Sequence, residues 1–257
     1  MADGRSRTGG WRTHADHPRG RVQRSMSVVQ LFEILRFLGG GVCHQLPERS
    51  LRLGGVTLPL CARCTGTYLG ALGAMAAVAL LRRARASLLP SWRVLALFGS
   101  FFVAWGIDGL NSYLAFLGMP HLYQPTNPLR LLTGTLQGLA LTLVVWPFAA
   151  YALWREPQSK RVIRGPEMAV CVLALLGVAA ATVQGISVAL VAAGVLSVLG
   201  LVALFTVLNA MVLAVLLRRE GTLTSLRDAL PLVGLALLAA LLELATFSLI
   251  RHWLLPF

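Results

Sequence analysis

Residues 168–217 read MAVCVLALLGVAAATVQGISVALVAAGVLSVLGLVALFTVLNAMVLAVLL, fifty positions without one Asp, Glu, Lys or Arg. A hydrocarbon core of about 30 Å is crossed by roughly 20 helical residues, so this run is long enough for two crossings. Its one internal turn signal is VQGIS, and a break at Gly185 predicts two antiparallel membrane helices joined tightly. Strand-like alternation is missing, so helices must satisfy the backbone in lipid.

Working outward, further apolar segments lie at 28–42, 65–81, 94–118, 129–153 and 230–250, with the long run itself dividing into 168–187 and 190–217. Hydrophobic residues make up 56% of the chain and charged ones 13%, about half the usual charged share of a soluble protein. The fold expected is therefore all-α and membrane-embedded, with about seven transmembrane helices, or six plus a short re-entrant or interfacial first segment. That first segment, VVQLFEILRFLGGGV, holds Glu33 and Arg36 at a spacing that allows them to pair on one helical face.

The net charge of +13 is distributed by topology, which argues against nucleic-acid binding. Of the 23 basic residues all but Lys160 are Arg, and they stand mostly between apolar runs. Arg82, Arg83, Arg85 and Arg93 fill one connection; Arg155, Lys160, Arg161 and Arg164 fill a second; Arg218, Arg219 and Arg227 fill a third. The positive-inside rule assigns these alternate loops to the cytoplasm, and the connections at 119–128 and 185–189, which lack Lys and Arg, to the other side. Residues 1–25 form a basic tail too polar to fold alone, able to touch anionic headgroups and expected to be cytoplasmic; Met26 is an alternative start, and no secretory signal is read here. Placing the tail inside requires residues 28–42 to cross, which gives seven spans and an outside C-terminus. The division expected is a tail at 1–25, a membrane domain at 26–155 and an accessory three-helix region at 156–257. The bilayer is the expected partner, and a bacterial-type inner membrane the expected location.

This orientation gathers the unusual residues on the outer side. Cys43 and His44 precede Cys61 and Cys64 of CARC, a set of three thiolates and one imidazole suited to zinc. Neighbours such as Cys43 and His44 can both ligate only from a turn, for which Gly39, Gly40 and Gly41 supply freedom. The same atoms admit a redox reading: a CxxC opening a helix beside Arg63 has activated thiols, although no thioredoxin-like pattern surrounds it. A plain structural disulfide is a third reading. Cys171, inside an apolar helix, is read as packing.

Two further clusters follow. In WGIDGLNSY, Asp108, Asn111 and Ser112 share one helical face, with Asp108 about 21 Å into its run, where a carboxylate is costly unless it faces a bundle interior or cavity. In YQPTNPLRLLTGTLQG, Asn127 and Pro128 read as a helix cap and first turn, and Arg130, Thr133, Gly134 and Gln137 line one face. Arg130 either pairs with Asp108 or binds a phosphate or carboxylate helped by the helix N-terminus. Glu243, Asn209 and Gln184 read as hydrogen bonds between packed helices.

CHQLPERSLRLGGVTLPLCARCTGTYLG, followed by DGLNSY and YQPTNPLRLLTG, resembles the bacterial and archaeal predicted membrane proteins grouped as domain of unknown function 2085. The resemblance covers about residues 40–140 and implies that Cys43, His44, Cys61, Arg63, Cys64, Asp108, Asn127 and Arg130 belong to the family pattern. It implies no activity. The residues together suggest a zinc site held by Cys43, His44, Cys61 and Cys64. In an enzyme, Asp108 and Arg130 would be catalytic, with Asn111, Asn127 and Arg63 binding a lipid-linked or headgroup-bearing anionic substrate. A membrane thiol-disulfide oxidoreductase and a transporter or scaffold with structural zinc are the rival readings.

Overall fold

The computed structural model describes residues 19–254, with side chains described from residue 29. Seven helices run in sequence: α1 (Arg19–Gly39), α2 (Ala62–Leu80), α3 (Trp92–Phe116), α4 (Asn127–Leu153), α5 (Gly165–Val183), α6 (Ser187–Leu216) and α7 (Leu226–Leu254). Five of them, α3 to α7, are long and apolar enough to cross a membrane. The fifty-residue run divides as its turn signal predicts, with Gly185 at a φ of +77° between α5 and α6. The helix α1 starts earlier than expected: residues 19–25 of the basic tail are helical, as straight-chain Arg and Gln favour. The rest of the expected tail lies outside the described residues.

The helix α2 falls short of the apolar threshold because of where it sits. It packs on α4, α5 and α6, and a helix enclosed by protein needs small residues for close approach rather than bulky ones for lipid. Gly66 and Gly70 of α2 lie against the backbone of α4, where an added Cβ would stand 2.2 Å from Leu131 O and 2.0 Å from Thr135 O. The contact is reciprocal. A Cβ at Gly134 would stand 2.3 Å from Arg63 O, and one at Gly138 1.8 Å from Thr67 O. Gly200 of α6 approaches Tyr68 O in the same manner, at 2.1 Å.

Short strands tie the connections together at each end of the bundle. At one end, β1 (Arg52–Leu53) and β2 (Val56–Thr57) form an antiparallel hairpin. Its two-residue turn, Gly54 and Gly55, takes φ of +53° and +89°, the left-handed pair that suits the twist of such a hairpin. At the other end, β3 (Ala86–Leu88) pairs in parallel with β4 (Gln158–Arg161). There Arg155 N also donates to Leu223 O at 2.9 Å. The three Arg-rich connections are thus joined at one end, while the Cys43 loop, the 119–126 loop and the last turn of α7 meet at the opposite end.

Helices α5 to α7 share the core with the rest. Val162, Ile163 and Met168 pack with residues of α2, α3 and α4, and α7 lies on α1 and α6. Asn209 donates to Glu243 Oε2 at 3.0 Å, so each makes a helix-to-helix bond of the kind expected of it. Gln184 instead caps the end of α5 and is exposed. The expected Glu33 to Arg36 pair is not formed: Arg36 donates to Thr57 of the hairpin, whose oxygens lie on the protein side of α1, and Glu33 faces outward.

Candidate metal and anion centre

The turn after α1 places Cys43 indoors. Cys43 N donates to Gly39 O at 3.0 Å, closing the helix end. The three preceding glycines serve close approach rather than unusual φ, contrary to the expectation for them. An added Cβ would stand 2.3 Å from Leu60 Cδ2 at Gly39, 2.7 Å from Ser248 Oγ at Gly40 and 2.5 Å from Phe247 Cβ at Gly41. The left-handed residue is Gln45, at φ +55°. Its amide donates to Arg36 O at 2.7 Å and Pro59 O at 2.9 Å, and accepts from Arg251 at 3.1 Å.

Cys61 is the N-cap residue of α2 and Cys64 lies in its first turn. The sulfurs of Cys43, Cys61 and Cys64 all lie within 4.8 Å of one another. Cys61 N donates to Cys43 Sγ at 3.2 Å. Hydrogen bonds from the neighbouring thiols hold the Cys61 sulfur well below the ordinary thiol range, whereas its bond to Cys61, with burial, pushes Cys43 up. The cluster thus concentrates one negative charge on the sulfur at the helix N-terminus, where the macrodipole favours it.

His44 is outside this group. Cys43 is buried and His44 exposed, because consecutive side chains in an extended turn point opposite ways. The expected four-ligand set is three thiols. His44 instead lines an open cleft of about 730 Å³ with Glu33, Gln45 and Arg251. Cys171 is a partly buried thiol packed beside the core, as expected.

Between the two cysteines of CARC, Arg63 reaches α3. Its Nη2 forms an ion pair with Asp108 Oδ2 and donates to Ser112 Oγ at 3.1 Å. Asp108 is 1% exposed, and its oxygens also accept from Tyr123 Oη at 3.0 Å and Thr133 Oγ1 at 3.4 Å. Burial, then the bond to Asp108, raises the Tyr123 phenol above its ordinary value. The Arg130 to Asp108 pair considered from sequence is therefore replaced by Arg63 to Asp108.

Among the described residues Arg130 forms no ion pair. It is only 8% exposed, Nη1 donates to Asn127 Oδ1 at 2.9 Å, and the buried Nε has no partner among the described residues. Charged groups within electrostatic reach include Arg49, Arg63, Asp108 and Cys61. Asn127 is the first residue of α4 rather than its cap, which is Thr126; the Asn127 amide ties α4 to Glu48 O at 3.2 Å and Ser50 O at 3.3 Å. Asn111 is engaged by the 119–126 loop, accepting from Leu122 N at 2.6 Å and donating to Tyr123 O at 2.8 Å. Gln137 accepts from Thr67 Oγ1 at 3.3 Å.

A family model described as "Predicted membrane protein (DUF2085)" matches residues 43–144. Over these residues the chain is similar to that family. The DUF2085 region opens on Cys43 and contains the three thiols, Arg63, Asp108, Asn127 and Arg130. Two similar curated proteins are both described as uncharacterized. One, from Methanocaldococcus jannaschii, is 27% identical over 117 residues, covering 45% of this chain and 68% of its own length. The other, from Methanothermobacter thermautotrophicus, is 53% identical over 30 residues, 12% of this chain and 27% of its own. No solved structure matches.

Outside the DUF2085 region, sequence reasoning missed Arg251 of α7. Its guanidinium donates to Cys43 O at 2.6 Å, His44 O at 2.7 Å and Gly40 O at 2.9 Å, clamping the turn that presents Cys43. A lone Arg near the end of an apolar segment was its only sequence signal.

Proposed function

We propose that this is a seven-span membrane protein whose outward end carries a three-thiolate zinc centre acting on an anionic, headgroup-bearing substrate. The observation that supports it most is the convergence of Cys43, Cys61 and Cys64 within 4.8 Å. Sulfurs about 2.3 Å from a tetrahedral zinc stand about 3.8 Å apart, so the donor set fits, and three protein ligands leave a fourth position for water or substrate. A bound zinc would supply Lewis acidity or an activated water. Arg63, between Cys61 and Cys64 in the chain, is paired with Asp108, which joins α3 to the helix that carries Cys64. Arg130 would take the substrate's anionic group, since it lies buried and forms no ion pair among the described residues. Asp108, with its oxygens engaged by Arg63, Tyr123 and Thr133, serves better as a positioning group than as a free base.

The seven-span reading draws support from the clustering of the three Arg-rich connections at one end of the bundle and from the positive-inside rule. A bacterial-type inner membrane is the location we propose.

The test is elemental mass spectrometry on detergent-purified chain prepared without chelator. About one zinc per chain, lost in Cys64→Ser, is expected; an absence of metal with an oxidised Cys61 to Cys64 pair would move the reading to thiol-disulfide exchange. That second reading is favoured by one observation, the thiolate held at the N-cap of α2 with Cys43 in contact. A purely structural zinc predicts that Arg130→Gln leaves every binding property unchanged.

A further inference from the structure

At the end of the bundle opposite the cysteines, a cleft of about 560 Å³ opens between the last turn of α2 and the β3–β4 pair. Its lining includes Arg82, Arg83, Lys160, Arg161 and Arg164, with Leu88 at its edge. Arg83 is the structural member: it grips Glu167 with two parallel bonds, Nη1 to Oε2 at 2.6 Å and Nη2 to Oε1 at 2.7 Å. The other four cations form no ion pair among the described residues.

These cations are held on a platform. Parallel pairing aligns Ala86 with Gln158 and Leu88 with Arg161, Gln158 N donates to Arg85 O at 2.7 Å, and Val162 N donates to Leu88 O at 3.1 Å. Val162 and Ile163, which follow the strand, are fully buried. A set of repelling charges fixed at one place is a poor solvated loop and a good cradle for a polyvalent anion.

The depth of the cleft selects the kind of anion. It lies where α2 ends and α3 and α5 begin, level with the interface of any membrane those helices span. At the same end of the bundle, Trp92 and Tyr151 are exposed, as aromatic residues are at the headgroup boundary. Leu80, Leu88 and Leu89 are also exposed there, supplying apolar surface beside the charges. Cations above an apolar lip match a molecule with a phosphate head and acyl chains. A soluble phosphate would use the charges alone.

We propose that this cleft binds the phosphate of an anionic phospholipid headgroup. The inference goes beyond the metal centre and does not depend on it. Basic pockets at the ends of membrane helices recognise such headgroups, each cation strengthening the attraction.

The test is native mass spectrometry of the full chain in detergent after delipidation, titrated with phosphatidylglycerol and, separately, phosphatidylcholine. The variant Lys160→Gln/Arg161→Gln/Arg164→Gln is compared with Arg218→Gln/Arg219→Gln/Arg227→Gln, which removes as many charges from a neighbouring connection. Circular dichroism checks that each keeps its helix content, and the single exposed change Lys160→Glu replaces the first triple if that fails to fold. Phosphatidylglycerol is expected to bind preferentially and to weaken on the order of a hundredfold in the cleft variant, with the control triple unchanged. Equal loss in both triples would mean diffuse surface attraction, and equal binding of the two lipids would mean no headgroup recognition. Displacement of phosphatidylglycerol by millimolar inorganic phosphate would mean a soluble-anion pocket; each of these three results overturns the proposal.

Discussion

At the scale of single residues, the site turns on how one carboxylate is shared. Asp108 goes to Arg63, and Arg130 stays buried with Asn127 as its neutral partner. Removing one partner of a buried pair costs about 3–5 kcal/mol because the other charge is stranded. Asp108→Asn should therefore lower unfolding stability in detergent by about 3 kcal/mol, measured by thermal unfolding. Arg130→Gln should do the opposite: stability holds or rises, since a buried cation that forms no ion pair among the described residues is removed. Phosphate binding, read by calorimetry on the full chain, should fall about tenfold or more with the loss of a charge-assisted bond.

The thiols make a pH prediction with a definite sign. Cys61 is shifted below the ordinary thiol range and Cys43 above it. In chelator-stripped, reduced protein Cys61 should remain a thiolate at pH 6, and iodoacetamide with peptide mapping should find it alkylated while Cys43 reacts only after unfolding. The three thiols, Arg63 and Asp108 were legible in the sequence as unusual residue types in an apolar chain. Their partners were not. Whether Asp108 meets Arg63 or Arg130 depends on how α3 crosses its neighbours, and Arg251 acts on Cys43 from 208 residues away. His44 was misplaced for a local reason: the side-chain directions of Cys43 and His44 are set by the turn through Gln45, and no composition reveals them.

At the scale of elements, the contact between α2 and α4 organises the molecule. Gly66 and Gly70 face one backbone, Gly134 and Gly138 the other, and Arg63 and Thr133 are carried into the site by this crossing. Any Cβ at Gly138 collides with Thr67 O, so Gly138→Val should cost about 3 kcal/mol by overpacking. Thermal unfolding and yield in detergent should both fall, while Gly99→Ala, with open space around it on α3, should be neutral. The spacing TGTYLG and TGTLQG was visible in the sequence, but spacing alone does not say which helix meets which. Long apolar runs and the Gly185 turn were readable because they are local. The helix α2 was the harder case, since its small residues reflect enclosure by protein and lower its apolar signal.

At the scale of the whole molecule, the two ends have different chemistry. One gathers thiols, a buried ion pair and the buried Arg130, the other a basic platform with apolar edges. The seven crossings proposed would put these ends on opposite sides of the membrane and the C-terminus on the thiol side. A reporter fused after residue 257 should be active only when it matures outside the cytoplasm; activity confined to the cytoplasm contradicts the seven-span reading.

In the proposed centre three sulfurs hold a metal with one position open, and X-ray absorption at the zinc edge of the purified protein reads those ligands. The expected spectrum has three sulfur ligands at about 2.3 Å and one light-atom ligand, and it is unchanged in His44→Ala because His44 lies outside the thiol group. A spectrum with a nitrogen ligand that disappears in His44→Ala, or a protein with no metal to absorb, would rule out a three-sulfur centre.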